Sequence, residues 1–477
     1  MLFPTITFAI FFMIVLPVSW LLMPRRRRWK LFMLSASYFF YGYWNWRFCF
    51  LIAASTIVNQ LLAERIHRSE DDRVRRRWLT LAVVANLAVL GYFKYYEFFI
   101  TSATNTLERI GVHIAPEIVA ITLPVGISFF TFQALSYVID VYRRTFTPGR
   151  LIDFAVLLSF FPHVVAGPIV RPAEFMPQLK SRHDPRRVDA SRAFFLITVG
   201  LAKKVVIANL LATQIVDPVF ASPGQYSGLT VLVAIYAYAV QIYADFSGYT
   251  DIAIGIALLL GFRFPQNFDS PYTAVSIQDF WRRWHMTLSR WLRDYLYIPL
   301  GGNRSGRWRT YRNLMITMVL GGLWHGAAWT FVVWGAIHGG FMVLEHARRS
   351  SREARGIPDR PDTAWRRNLA RFGTFQVVCL AWVFFRAETF TNAFDMLGRL
   401  VDPSHWFDAA PLVTAGVLLA ITAAFVEQYL PKHAWSRAMA RFSYLAPVAQ
   451  GIVLGFALLL INTMGPSGVA PFIYFRF

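Results

Sequence analysis

Only two cysteines, Cys49 and Cys379, occur in 477 residues, both in apolar stretches and without CxxC or other metal-ligand spacing. That excludes a disulfide framework or a zinc site and gives no basis for redox chemistry. Acidic residues are also scarce, with 27 Asp and Glu against 48 Lys and Arg, a net charge of +21. Most telling is the lack of any full charge over long stretches: Thr5 to Met23, Ile118 to Ile139, Pro218 to Ala244, Asn313 to Leu344 and Phe442 to Phe475. A hydrocarbon core about 30 Å thick needs about 20 mostly apolar residues per helix, and these runs approach or exceed that length. With 56% hydrophobic residues, 43 Phe and 16 Trp, the chain is built for lipid as its solvent.

The excess positive charge sits between the apolar runs. That is the positive-inside pattern of a membrane protein rather than a basic face for nucleic acid, so no nucleic-acid partner is expected. Thr5 to Met23 lacks a basic n-region before it and a small-residue cleavage site after it, and Arg25 to Arg28 follow. It is therefore expected to be a first span and not a signal peptide. Holding Arg25 to Lys30 in the cytoplasm puts the N-terminus outside. Spans near Leu31 to Trp46 and Phe48 to Ala63 then return the chain to a second basic run containing Arg65, Arg68, Arg73 and Arg75 to Arg77. Trp78 to Phe93 and Ile118 to Ile139 lead back to Arg143, Arg144 and Arg150, again inside.

Leu151 to Val170 contains Asp153, His163, Phe161-Pro162 and Gly167-Pro168, and reads as a re-entrant or interfacial segment. Ala193 to Val216 goes out past Lys203 and Lys204, and Gly228 to Phe262 comes back. Asn313 to Leu344 departs from this alternation, because Arg304, Arg307, Arg309 and Arg312 precede it and Arg348, Arg349, Arg352 and Arg355 follow it. A single crossing would strand one basic cluster outside. With Gly321-Gly322 and Gly326 near its middle, the stretch is expected to be a helical hairpin or broken re-entrant pair, with His325 at the turn. Phe372 to Phe385, Ala409 to Val426 and a stretch from Phe442 complete about ten crossings. No fixed-period repeat or soluble catalytic domain is evident. The expected architecture is one all-α polytopic membrane domain over residues 1–477, with the candidate chemistry in 280–345.

His325, in Leu323-Trp324-His325-Gly326, is an ionisable group inside an otherwise uncharged 32-residue stretch, beside glycines that admit close backbone approach. One reading is a histidine hydrogen-bonded to a neighbouring helix. The other is a neutral imidazole acting as general base, which acyl transfer requires when a hydroxyl attacks a thioester or ester carbonyl. His285 lies in an aromatic and basic segment, Phe280 to Tyr295. That segment reads either as an amphipathic interfacial helix or as a donor entry site. In the second case Arg282, Arg283, Arg290 or Arg293 meets the phosphates of an acyl carrier and His285 assists the transfer. Asp245, Ser247, Tyr249 and Asp251 interrupt apolar sequence; they either pair with nearby arginines or line a cavity, and Asp245, Tyr249, Trp324 and Asp294 are the candidate pocket residues. His338 would lie about 220° from His325 on a regular helix, a poor metal pair, and no metal is expected. Leu300 to Gly306 is glycine-rich but has neither a preceding strand nor a Lys-Ser/Thr, so it reads as a turn.

The chain resembles the membrane-bound O-acyltransferase family, in the bacterial branch that holds the alginate O-acetylation protein and the teichoic acid D-alanyl transferase. The resemblance is carried, in order, by PVGISFFTFQ at Pro124 to Gln133, Ala166-Gly167-Pro168-Ile169, YADFSGYTD at Tyr243 to Asp251, and FWRRWH at Phe280 to His285. It continues with RDYLYIPLGG at Arg293 to Gly302, GLWHG at Gly322 to Gly326 and the closing FIYF at Phe472 to Phe475. It covers nearly the whole chain; His163 departs from the pattern and receives no role.

The resemblance implies that His325 is the family's essential histidine and His285 its second signature histidine. It implies a funnel or tunnel through the membrane, with no tightly bound cofactor. The donor, acetyl-CoA or a carrier-bound acyl thioester, would be on the cytoplasmic side. A periplasmic or membrane-anchored acetyltransferase partner would pass the acyl group to an exported polysaccharide, and the location would be the bacterial inner membrane. D-alanyl transfer is the alternative within the class, and a transporter the alternative outside it.

Overall fold

The computed structural model describes residues 1–113, 119, 121–181, 183–304, 306–357 and 362–465, all in helices, turns and loops with no strand among them. Six described helices are long and apolar enough to cross a membrane: Arg47–Arg68, Asp72–Arg109, Ala190–Ala221, Gly228–Leu259, Ala364–Arg386 and Pro447–Met464. Ile6–Leu22, Ile127–Tyr142 and Ala415–Tyr429 are shorter apolar helices. Large apolar side chains lie bare on the outside of several of them, with Leu21 77%, Leu419 69%, Val448 76% and Ile452 67% exposed. Such exposure over whole helices fits a lipid solvent and accords with the multi-pass architecture.

The chain divides into two compact units, residues 1–189 with 256–265, and residues 190–255 with those from 266 on. In the first, Ile6–Leu22 turns Phe8, Phe11, Val15 and Ser19 inward at helical spacing, and Ser19 accepts the Trp29 indole N–H at 2.9 Å. The segment expected to be re-entrant is a nine-residue helix, Leu151–Ser159, followed by buried turns through Val170. Asp153 of that helix pairs with Lys30. His163 is fully buried, with Nε2 2.8 Å from the Leu157 carbonyl, and Phe160, Phe175 and Phe264 pack around it.

Several boundaries differ from the sequence reading for local reasons. In the run expected from Ile118, the described residues become helical only at Ile127, because Pro124 and Gly126, with φ 76°, keep the backbone just before it extended or turned. The Trp78–Phe93 span is part of a longer helix that reaches Arg109 through a π turn at Gly91–Tyr95. Ala193–Val216 belongs to Ala190–Ala221, which contains two π segments, Ala202–Ala208 and Ala212–Val216. The last run begins as a separate helix, Lys432–Ser443, and restarts at Pro447. The closing Phe472 to Phe475 lies outside the described residues.

The second unit contains the hairpin. Arg307–His325 and Trp329–Ala354 run back to back, joined by Gly326-Ala327-Ala328. Their approach depends on glycine: a Cβ on Gly322 would strike the Phe331 carbonyl, and one on Gly335 would strike the Met318 carbonyl. Ahead of the hairpin, Leu300 to Arg304 is a turn, as its glycines suggest. Asn313 fastens it by donating to the Leu300 and Gly302 carbonyls at 3.1 and 3.0 Å.

Candidate active site

His325 is the last helical residue of the first hairpin leg and is 2% exposed. Its ring centroid lies 5.0 Å from Trp324, 5.0 Å from Trp334 on the second leg and 5.3 Å from Phe385 of the Ala364–Arg386 helix. The hairpin turn thus delivers an imidazole into an aromatic enclosure. His338 is on the other leg and not on a continuous helix with His325, so the expected angular separation does not apply. Trp334 neighbours both histidines, lying 4.9 Å from His338, which Trp281 and Phe280 also approach at 5.2 and 5.9 Å. No group of three or more potential metal ligands occurs among the described residues.

The segment carrying His285 is not one amphipathic helix. Ser276 caps Ile277–Arg283 by accepting the Asp279 N–H at 3.0 Å, and Glu345 accepts the Ile277 and Gln278 N–H groups at 2.6 and 3.2 Å. The helix then stops, and His285 adopts φ 40° and ψ 54° before Met286–Leu292 begins. This break turns Trp284, His285, Thr287 and Leu288 inward together, which a continuous interfacial helix would not do. Phe246, on the Gly228–Leu259 helix, meets the His285 ring edge-on at 4.7 Å, and Trp324 lies 6.1 Å away. Trp324 is therefore shared by His285 and His325.

The four arginines proposed for donor phosphates divide into two kinds. Arg282 and Arg293 are exposed, while Arg283 and Arg290 are half-buried. Two already have carboxylate partners: Arg283 to Asp279 at 3.0 Å and Arg293 to Asp294 at 2.7 Å. The hydrogen bond that Arg293 donates to the Asp294 carboxylate raises the guanidinium pKa above its ordinary value, so Asp294 serves as a counter-ion.

The ion pairs described for Asp245 and Asp251 are with lysines, where arginines were expected. Lys204 holds Asp245, both side chains 4% exposed, and Lys203 bridges Asp251 at 3.2 Å and Glu427 at 3.1 Å. The π segment Ala202–Ala208 carries both lysines inward although they are adjacent in sequence. Glu427 also accepts the Tyr243 hydroxyl at 3.0 Å. Tyr249 is buried one turn beyond Asp245 on the same helix. Breaking a buried pair leaves an uncompensated charge costing about 3–5 kcal/mol. Lys204→Met is therefore expected to lower the thermal midpoint of the purified protein sharply, and Lys204→Met with Asp245→Asn to recover most of the loss.

Sequence reasoning passed over Trp334, Phe385, Glu345 and Asn267, which shape the two histidine environments. Trp334 and Phe385 lie in apolar runs where aromatics carry no distinguishing spacing. Glu345 marks the end of the uncharged stretch, but its helix-capping role depends on tertiary contact.

A buried histidine at the tip of an intramembrane hairpin, with a second histidine across one indole, defines a multi-pass membrane protein with an enclosed imidazole site. The MBOAT, membrane-bound O-acyltransferase family matches residues 77–365. The chain is 41% identical over 470 residues, 95% of its own length and 90% of the relative's, to the probable alginate O-acetylase AlgI of Azotobacter vinelandii. It is 38% identical over 399 residues, 78% of this chain and 73% of the relative, to the peptidoglycan O-acetyltransferase of Helicobacter pylori. With the teichoic acid D-alanyltransferase of Streptococcus thermophilus it shares 30% identity over 279 residues, 54% of this chain and 67% of the relative. The chain belongs to the membrane-bound O-acyltransferase family, and it is an acyltransferase of the membrane.

Proposed function

We propose that this acyltransferase moves acetyl groups from a cytoplasmic thioester, acetyl-CoA or an acyl carrier, across a bacterial inner membrane for O-acetylation of an exported or cell-envelope polysaccharide. The observation that carries the site assignment is His325, buried at the hairpin turn between Trp324, Trp334 and Phe385. The acetyl group is supported by relatives named as O-acetylases and an O-acetyltransferase along most of the chain.

In the reaction, His325 accepts the proton of the acceptor hydroxyl as its oxygen attacks the thioester carbonyl. The carbon–sulfur bond breaks, and the protonated imidazole returns the proton to the departing thiolate. The enclosing rings keep water, a competing nucleophile, from the acyl group. His285, which also neighbours Trp324, assists the transfer. Arg282, Arg283, Arg290 and Arg293 are the residues proposed to meet donor phosphates; Arg282 is exposed, whereas Arg283 and Arg293 are already engaged by Asp279 and Asp294. Asp245 and Tyr249, on the same helix as Phe246, are the residues proposed to line the pocket on that side, with Asp245 held by Lys204. A periplasmic or membrane-anchored acetyltransferase takes the acyl group onward to the polymer.

Inactivating the chain in its host is expected to remove acetyl esters from the polymer, as read by mass spectrometry of the polymer. Loss of a D-alanyl ester instead would assign the alternative transfer, and an unchanged polymer would contradict both.

A further inference from the structure

The left-handed backbone at His285 is costly for a residue with a Cβ, and it persists only where its surroundings hold it. Asn267 supplies that hold. Its carbonyl accepts the Met286 N–H at 2.9 Å, and its side-chain Oδ1 accepts the Thr287 N–H at 3.1 Å and the Thr287 hydroxyl at 2.8 Å. Because a backbone N–H can only donate, the side-chain atom of Asn267 that meets it must be the acceptor oxygen.

The same Oδ1 lies 3.2 Å from His285 Nδ1. An acceptor at that distance requires the hydrogen of a neutral imidazole to be on Nδ1. His285 is 0% exposed, and its Nε2 has no hydrogen-bond partner among the described residues. Its ring is packed by Phe246 and Trp324, neither of which offers a negative charge. A second proton on Nε2 would bury a cation with nothing to accept its hydrogen.

We propose that Asn267 is a positioning residue that sets the tautomer of His285, placing the proton on Nδ1 and leaving Nε2 as a bare lone pair to accept a hydrogen bond from an O–H or N–H of a bound substrate. The use of that lone pair in acyl transfer rests on the function proposed above; the tautomer does not.

The test uses the full chain in lipid bilayers with 15N-labelled imidazole rings, read by solid-state NMR at neutral pH, with the His285→Gln protein subtracted to assign the resonance. The expected spectrum has a protonated Nδ1 and an unprotonated Nε2. An Nε2–H ring or an imidazolium overturns the proposal. Asn267→Leu, of similar size but without an acceptor, is expected to lose the Nδ1–H signature and lower acyl transfer at least tenfold at wild-type membrane abundance. Asn267→Asp, which keeps an acceptor oxygen, is expected to restore the signature and most of the transfer. If the Leu variant loses the signature yet transfers at the wild-type rate, the positioning role is overturned, while transfer by the wild-type chain still supports the function. The wild-type spectrum decides the tautomer even if the Leu variant does not accumulate.

Discussion

His325→Ala is expected to lower acyl transfer by at least ~10²-fold and up to ~10⁴-fold, the range contributed by a positioned general base. The rings described around His325, those of Trp324, Trp334 and Phe385, are not bases. His338 and His325 both pack against the Trp334 ring. Truncation also opens space in a buried aromatic cluster, so His325→Gln is the sharper variant: it keeps volume and polarity but lacks a base. Both variants are expected at wild-type abundance in the membrane. The loss is read as ester-linked acyl groups released from the polymer by mild base.

Gly322→Val is expected to prevent the hairpin from closing, with at least ~3 kcal/mol of lost stability and little folded protein recovered from the membrane. The added side chain has no room to move into, because it would meet the Phe331 backbone carbonyl, which cannot rotate aside as a flexible side chain could. Gly340, five residues beyond Gly335 on the second leg, is the control. It is exposed, and nothing lies within 4 Å of its Cβ direction, so Gly340→Ala is expected to be neutral or to add up to ~1 kcal/mol of helix propensity. Thermal midpoints of the two purified variants check the contrast.

The hairpin was legible in the sequence because charge is a topological signal: basic clusters on both sides of an uncharged run forbid a single crossing. Its glycines marked where two backbones touch, and His325 followed as the residue at the turn. The break at His285 was not legible, since Phe280 to Tyr295 contains no Pro or Gly and its aromatic and basic residues are compatible with one helix. That break is imposed by Asn267, eighteen residues away, a contact that no local pattern encodes. Likewise Asp245 and Asp251 could be marked as buried acids in need of partners. Their choice of Lys204 and Lys203 over the arginines depends on the π segment that turns two adjacent lysines to the same side. The resembling motifs thus ran ahead of local physics at the site, while long apolar runs marked the membrane helices and flanking charge marked the hairpin.

The most direct measurement is made with purified wild-type and His325→Gln protein in sealed vesicles supplied with a labelled acetyl thioester and a hydroxyl acceptor. The expected result is formation of a base-labile labelled ester with release of free thiol by the wild-type protein, and neither by His325→Gln. Ester formation by His325→Gln at the wild-type rate would contradict the role of His325, and movement of label across the bilayer without ester formation or thiol release would contradict acyl transfer itself.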